Sequence, residues 1–161
     1  NMKKEADRYR TARHEAWRDI HGMSVPFDGD GFVKDALRCW RQDPDKAVMW
    51  AMRRDEPAGI LQLDLERDAD QGVGYIPFFY MMPQLRCQGL GVQLLGQAVS
   101  TFRPLGRTRL RLRCAPDNVR AQRFDQKYGF VKVGEAQGSR GPLDILEKDI
   151  GYTVKEDWMN L

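Results

Sequence analysis

The most informative segment of this 161-residue sequence is PQLRCQGLG, which spans residues 83–91. It follows an apolar run at residues 73–82, which we predict to be a β-strand, and it precedes an amphipathic helix. The two glycines, Gly89 and Gly91, let backbone N–H groups turn inward without obstruction by a Cβ atom. The N-terminus of the following helix adds unpaired N–H groups and the positive end of the helix dipole. The segment therefore predicts a site for a phosphate or pyrophosphate, to which Arg86 would add a charged donor.

This loop differs from two common phosphate-binding motifs. It is not a Walker loop, because no Gly-Lys-Ser/Thr follows the glycines. It is not a dinucleotide-binding fingerprint either, because the G-x-G-x-x-G spacing and the later acidic residue are absent. A glycine-rich turn without a ligand is the alternative, and the loop by itself favours neither interpretation.

A second segment, residues 118–131, gives the loop a specific context. It contains NVRAQRF at residues 118–124, within a predicted helix, and YGFV at residues 128–131, which leads into a predicted strand. The two segments, in this order and between these elements, resemble those of the GNAT superfamily of acetyl-coenzyme A-dependent N-acyltransferases. The resemblance is close over residues 73–135 and rests on element order alone over residues 30–72.

The hydrophobic periodicity predicts the element order α-α-β-β-β-α-β-α-β-β, an α/β arrangement. The resemblance implies a GNAT-like mixed, mostly antiparallel central sheet that splays after its fourth strand and is flanked by helices. The family begins with a strand, whereas this chain begins with a predicted helix at residues 3–20. Either the first strand lies upstream of this sequence or this protein lacks it. We expect residues 1–161 to form a single acyltransferase domain, and Asn1 before Met2 is typical of a tag remnant or of a domain cut from a longer protein.

The resemblance implies that the chain binds acetyl-coenzyme A. In the family the pantetheine arm pairs with the splayed strand, and the amides of the following loop hold the pyrophosphate. The position of Asn118 reaches the pantetheine or the departing thiol, and a backbone N–H near Met81 or Met82 would polarise the thioester oxygen. The positions that match the family's cofactor-binding residues are Phe79, Tyr80, Met81, Met82, Arg86, Cys87, Gln88, Gly89, Leu90, Gly91, Val92 and Asn118.

The sequence departs from the family at the residue after Phe124. Many members have a tyrosine there, whose hydroxyl protonates the leaving thiolate, whereas this chain has Asp125. An ionised aspartate repels a developing thiolate and donates no proton, but a protonated one could donate if burial raised its pKa. Tyr128 and Tyr80 could substitute as catalytic acids, although neither position matches the motif. We expect reduced activity rather than none.

Two further groups of residues are candidates for the acceptor side of the site. Asp64 and Glu66 could supply a base, although we favour a solvated or salt-bridged strand face for them. Aromatic side chains could line an acceptor pocket, because family members build it from the first two helices, but at helical spacing they are more often core. These aromatic residues are Trp17, Trp40, Trp50, Phe27 and Phe32.

The composition excludes several other classes of protein. The 26 Lys and Arg against 23 Asp and Glu give a net charge of +3, which is too weak to indicate a nucleic-acid partner. No apolar run reaches the roughly 18–20 residues of a membrane span. The three cysteines, Cys39, Cys87 and Cys114, lack C-x-x-C spacing, which disfavours disulfides and structural zinc and favours a reducing, cytoplasmic location. We expect no metal, no nucleic-acid partner and no membrane partner.

A predicted strand at residues 107–114 presents four alternating arginines. They could bind an acidic ligand as an interaction module, but we favour cross-strand pairing with Asp144, Glu147 or Asp149 on the last predicted strand. No aromatic residues interleave with these arginines, which disfavours a nucleic-acid surface.

The function we expect is transfer of an acetyl group from acetyl-coenzyme A to a primary amine of a small-molecule or peptide acceptor, by direct attack. The alternative is a weakly active or non-catalytic coenzyme A-binding regulatory domain of a larger protein, for example one fused to a phosphatase domain. Because the family often pairs as dimers, a homodimer is one expected assembly.

Overall fold

The structure is a computed structural model that describes residues 1–86 and 89–151. Its regular elements confirm the predicted order of helices and strands. They are α1 (Met2–His21), α2 (Gly29–Gln42), β1 (Val48–Arg53), β2 (Glu56–Asp64), β3 (Val73–Met81), α3 (Leu90–Phe102), β4 (Arg109–Cys114), α4 (Val119–Lys127), β5 (Val131–Gly138) and β6 (Gly141–Asp149).

The six strands form one sheet in the order β1-β2-β3-β4-β6-β5. The pairs β1–β2, β4–β6 and β5–β6 are antiparallel, whereas β3 and β4 are parallel. The sheet is therefore mixed and mostly antiparallel, as predicted. The register of β3 with β4 covers only Val73–Tyr75, although β3 continues to Met81. Pro77 lies just beyond the last pair, and a proline cannot donate to the ladder, so this loss of pairing agrees with the sequence.

The chain packs into two compact units. The first comprises residues 1–65 and 76–97, and the second comprises residues 66–75 and the described chain from Ala98 onward. The first unit thus holds α1, α2, β1, β2, the end of β3 and the start of α3. The second holds the start of β3, the end of α3, β4, α4, β5 and β6.

In the first unit, β2 is buried on both faces. One face carries Leu61 and Leu63, each fully buried. On the other face Asp64 is 2% exposed, and its carboxylate accepts from Arg38 at 2.8 Å and from Gln42 at 2.9 Å. The prediction of a solvated face is therefore wrong at Asp64, because α2 covers it, whereas the salt-bridged alternative is confirmed.

Helix α2 begins with a side-chain cap from Asp28, whose Oδ1 accepts from the Gly31 N–H at 3.0 Å. Asp30 lies one residue inside the helix and forms an ion pair with Arg10 at 2.6 Å. Gly29 already has helical geometry, so the capping side chain lies before it.

In the second unit, the arginines of β4 pair with the last strand. Glu147 accepts from Arg109 at 3.2 Å and from Arg111 at 2.7 Å, which confirms cross-strand pairing for these two. Asp144 instead bonds Lys132 at 3.1 Å. Among residues 1–86 and 89–151, no helix combines the length and apolar character needed to cross a membrane.

Candidate functional site

The loop between β3 and α3 is described up to Arg86 and again from Gly89. Residues Pro83–Leu85 form one 3₁₀ turn, and α3 begins at Leu90. Gly89 has φ of +80°, and a Cβ atom there would meet nothing within 4 Å. The backbone angle, rather than lack of space, therefore requires glycine at this position. The first N–H groups of α3 have no intrahelical acceptor, as at the start of any helix. Cys87 and Gln88, which were also predicted to bind the cofactor, lie outside the described residues.

At the end of β3, the two candidate backbone donors point in different directions. The Met82 N–H donates to the Ala58 carbonyl at 2.9 Å, so it is used in holding this segment against β2. Because donors alternate along a strand, the Met81 N–H points away from β2. Gly59 permits this close approach, since a Cβ atom there would lie 2.4 Å from Met81 Sδ. Of the two N–H groups predicted from the sequence, Met81 is the one aimed away from the neighbouring strand.

Three side chains form a network between α1, β3 and the loop. Tyr80 Oη donates to Asp19 Oδ2 at 3.0 Å, and Arg86 Nη2 lies 3.4 Å from the same oxygen. Arg86 Nε donates to the Met81 carbonyl at 3.0 Å, and the guanidinium lies 5.4 Å from the centre of the Tyr80 ring. Arg86 Nη1 is buried and has no hydrogen-bond partner among the described residues. Asp19 could not be predicted from the sequence, because it lies 61 positions from Tyr80 and occupies an ordinary polar position of α1.

A cavity of about 360 Å³ opens beside this network, between the C-terminal half of α1 and the end of β3. Its charged lining is Glu15, Arg18 and Asp19, and Tyr80 and Met23 add apolar surface. A second cavity of about 310 Å³ shares Glu15 and Arg18 with the first. Of the five aromatic residues proposed for an acceptor pocket, Phe27 lines the second cavity, while Trp17, Trp40, Trp50 and Phe32 line neither.

In the second unit, α4 carries the remaining candidates. Asn118 caps the helix, its Oδ1 accepting from the Ala121 N–H at 3.4 Å. Asp125 is 5% exposed, and no hydrogen bond reaches its carboxyl group from the described residues. Burial raises the pKa of Asp125 to about 7. Asn118 and Asp125 are seven residues apart, which is two turns or about 10 Å along the helix.

The other tyrosine candidate, Tyr128, ends α4. Its ring packs against Phe124 with a centroid distance of 4.7 Å, and its carbonyl accepts from Lys148 at 2.7 Å. Gly129 follows with φ of +92° and terminates the helix. Tyr128 is thus held at the helix end, while Tyr80 and the loop residues belong to the other unit.

The described residues contain neither a metal-ligand cluster nor a reactive thiol. Within residues 1–86 and 89–151, no group of three or more His, Cys, Asp or Glu side chains could hold a metal ion. Cys39 and Cys114 are buried free thiols, and burial raises the pKa of Cys114 to about 12, so neither has the low pKa of a nucleophile.

Comparison with solved structures identifies the fold. The chain is similar to Ard1 from Thermoplasma volcanium, with 18% identity, TM-score 0.71 and coverage of 92% of this chain and 93% of that one. It is similar to the PaiA N-acetyltransferase of Thermoplasma acidophilum in complex with coenzyme A, with 16% identity, TM-score 0.66 and coverage of 91% and 93%. It is also similar to the ribosomal-protein-alanine N-acetyltransferase of Brucella melitensis, with 15% identity, TM-score 0.69 and coverage of 91% and 94%. At these identities the likeness concerns the fold alone.

Sequence comparison identifies the family. No curated protein sequence matches the chain significantly. The sequence model of the Acetyltransferase (GNAT) family, however, matches residues 10–130, which include the whole of β3, the loop and α4. Together with the loop geometry and the fold, this match shows that the chain belongs to the GNAT family of acetyltransferases, which use acetyl-coenzyme A.

Proposed function

We propose that this protein transfers the acetyl group of acetyl-coenzyme A to a primary amine of a small molecule or peptide. The observations that carry the proposal lie on either side of residues 87 and 88, at the end of β3 and at Gly89. A strand that has lost its β4 partner ends with an N–H aimed away from β2, and a glycine with positive φ then leads into a helix N-terminus. The strand-end N–H suits the oxygen of a thioester, and the N–H groups at the helix N-terminus suit a pyrophosphate.

The residues of this segment fit acetyl-coenzyme A. We assign Phe79–Met82 to the pantetheine arm and Arg86–Val92, with Asn118, to the remaining cofactor contacts. A phosphate oxygen would satisfy Arg86 Nη1, the buried donor without a partner among the described residues. When bound, the cofactor supplies an acetyl group activated as a thioester. The chain supplies orientation of the two reactants and polarisation of the carbonyl by the Met81 N–H.

We assign the proton for the leaving sulfur to Asp125. An aspartate with an ordinary pKa would be ionised at neutral pH and could not donate. Burial raises the pKa of Asp125 to about 7, so the carboxyl group is protonated in about half of the molecules at that pH. This supports an enzyme with an altered acid over a non-catalytic coenzyme A-binding domain, which is the second candidate. Tyr80 donates to Asp19, so we place it on the acceptor side, and Tyr128 remains the alternative acid.

The cofactor assignment is tested by calorimetric titration with acetyl-coenzyme A. We expect Gly89→Ala to weaken binding about tenfold, because a left-handed backbone costs a non-glycine residue about 1–2 kcal/mol. The matched control is Gly96→Ala, an exposed position within α3 where a Cβ atom also meets nothing within 4 Å. Binding that is equally unchanged in both variants would contradict the cradle.

Turnover is tested by release of coenzyme A thiol with a panel of primary amines. Thiol release that depends on the amine supports the enzyme. Binding of the cofactor without amine-dependent release would favour the regulatory domain. A cytoplasmic location and a homodimer stay predictions of the sequence.

A further inference from the structure

The cavity beside Tyr80 has a charge pattern that restricts the acceptor. Asp19 is anchored there, because its Oδ2 accepts from Tyr80 and faces Arg86. Glu15 lies one turn earlier on α1 and lines the same cavity. Its carboxylate has no ion pair or hydrogen bond among the described residues. Two carboxylates, one of them without an ion pair, therefore face the space next to the end of β3, where they would attract an ammonium group.

The same cavity also presents a cation. Arg18 follows Glu15 by three residues, lines both cavities and has no side-chain ion pair among the described residues. The other arginine of the second cavity, Arg10, is engaged by Asp30 at 2.6 Å and by Asp7 at 3.3 Å. Arg18 is thus the guanidinium of these cavities that remains available for an anionic group.

The two cavities together offer room for an extended ligand. They share Glu15 and Arg18 and follow one face of α1 from Asp19 to Arg10. Nine residues of helix span about 13 Å. A ligand that places its amine at Asp19 and extends toward Arg10 passes Arg18 on the way.

We propose that the acceptor is a zwitterion, such as an amino acid with a terminal amine or a short peptide, whose ammonium group binds between Asp19 and Glu15 and whose anionic group binds Arg18. This proposal rests on the proposed function only in naming the cavity as the acceptor site. The carboxylates hold the charged amine during binding, and the ammonium group then releases a proton to water so that its nitrogen lone pair can attack the thioester. The guanidinium selects against amines that lack an anion and against diamines.

The test compares three ligands of equal length: aminopentanoate with a terminal amine, pentylamine and diaminopentane. Binding is measured by calorimetry in the presence of coenzyme A, and turnover by thiol release with acetyl-coenzyme A. We expect aminopentanoate to bind at least about tenfold more tightly than pentylamine, since a charge-assisted hydrogen bond is worth a factor of this size. Arg18→Glu should abolish that preference and favour diaminopentane.

The matched control is Lys4→Glu, the same change of charge at an exposed position of α1 outside both cavities. It should leave the ratio of the three affinities unchanged. Equal affinities in the unmodified protein, or a preference that survives Arg18→Glu, would overturn the proposal. Selective binding of aminopentanoate without turnover would support a zwitterion site but overturn the proposed acetyl transfer. Turnover without any charge preference would support acetyl transfer but overturn the zwitterion site.

Discussion

Replacement of Asp125 by asparagine should change the pH dependence of stability. The ordinary pKa of the carboxyl group is 3.8, and burial raises the pKa to about 7 in the folded chain. The folded state therefore holds this proton more tightly than the unfolded state. The contribution of Asp125 to stability is fully present below pH 3.8 and is lost as the pH rises through the folded value.

The size of the loss follows from the shift. Each pKa unit corresponds to about 1.4 kcal/mol, so the full penalty above pH 7 is about 4 kcal/mol. About 3 kcal/mol of it develops between pH 5 and pH 9. Asparagine has nearly the same shape and does not titrate in this range, so Asp125→Asn removes the penalty. Any cost of burying the amide is independent of pH and cancels in the comparison.

The assay is urea unfolding of the unmodified protein and of Asp125→Asn at pH values from 5 to 9. The difference in free energy of unfolding should rise by about 3 kcal/mol in favour of the variant and level off above pH 7. Asp117→Asn, the same substitution at an exposed position before α4, measures the effect of the amide alone. A difference curve for Asp125→Asn as flat as that control would refute the assignment of a buried, proton-retaining carboxyl group.

Three further predictions concern turnover, a buried ion pair and a turn. Asp125→Tyr should keep the rate of thiol release high above pH 8, where the rate of the unmodified protein falls, because a phenol stays protonated up to a pKa of about 10. If the rates of both proteins fall in parallel, Asp125 does not protonate the leaving sulfur. Arg38→Met should cost about 1–2 kcal/mol in urea unfolding, since the buried Asp64 carboxylate loses a charged donor at 2.8 Å, and an unchanged midpoint would contradict that role. The turn between β1 and β2 has positive φ at both central residues, 50° at Arg54 and 67° at Asp55. Asparagine and glycine adopt these angles at lower cost, so Arg54→Asn combined with Asp55→Gly should raise the free energy of unfolding by about 1 kcal/mol. A lower thermal midpoint would count against this turn geometry.

Much of the fold was predictable because its signals are local. The element order follows from periodicity, and the family was recognisable from the loop at residues 83–91 together with the segment at residues 118–131. Glycine at position 89 could be understood from sequence, since a strand-to-helix turn needs a positive φ. Errors arose where tertiary contacts compete with local preference: β2 looked amphipathic, but α2 buries its polar face and pairs Asp64 with Arg38.

The family and its cofactor could be predicted from local sequence patterns, and so could the segment that we propose binds the cofactor, because backbone donors in one loop depend on residues close together in the chain. Our proposals for the acceptor side and the catalytic acid depend on contacts and burial that appear only in the folded chain. Asp19 meets Tyr80 across 61 positions, and the proton affinity of Asp125 depends on how completely the packed chain excludes water from it. Contacts at long range and desolvation are properties of the packed chain as a whole, so no short pattern of residues encodes them.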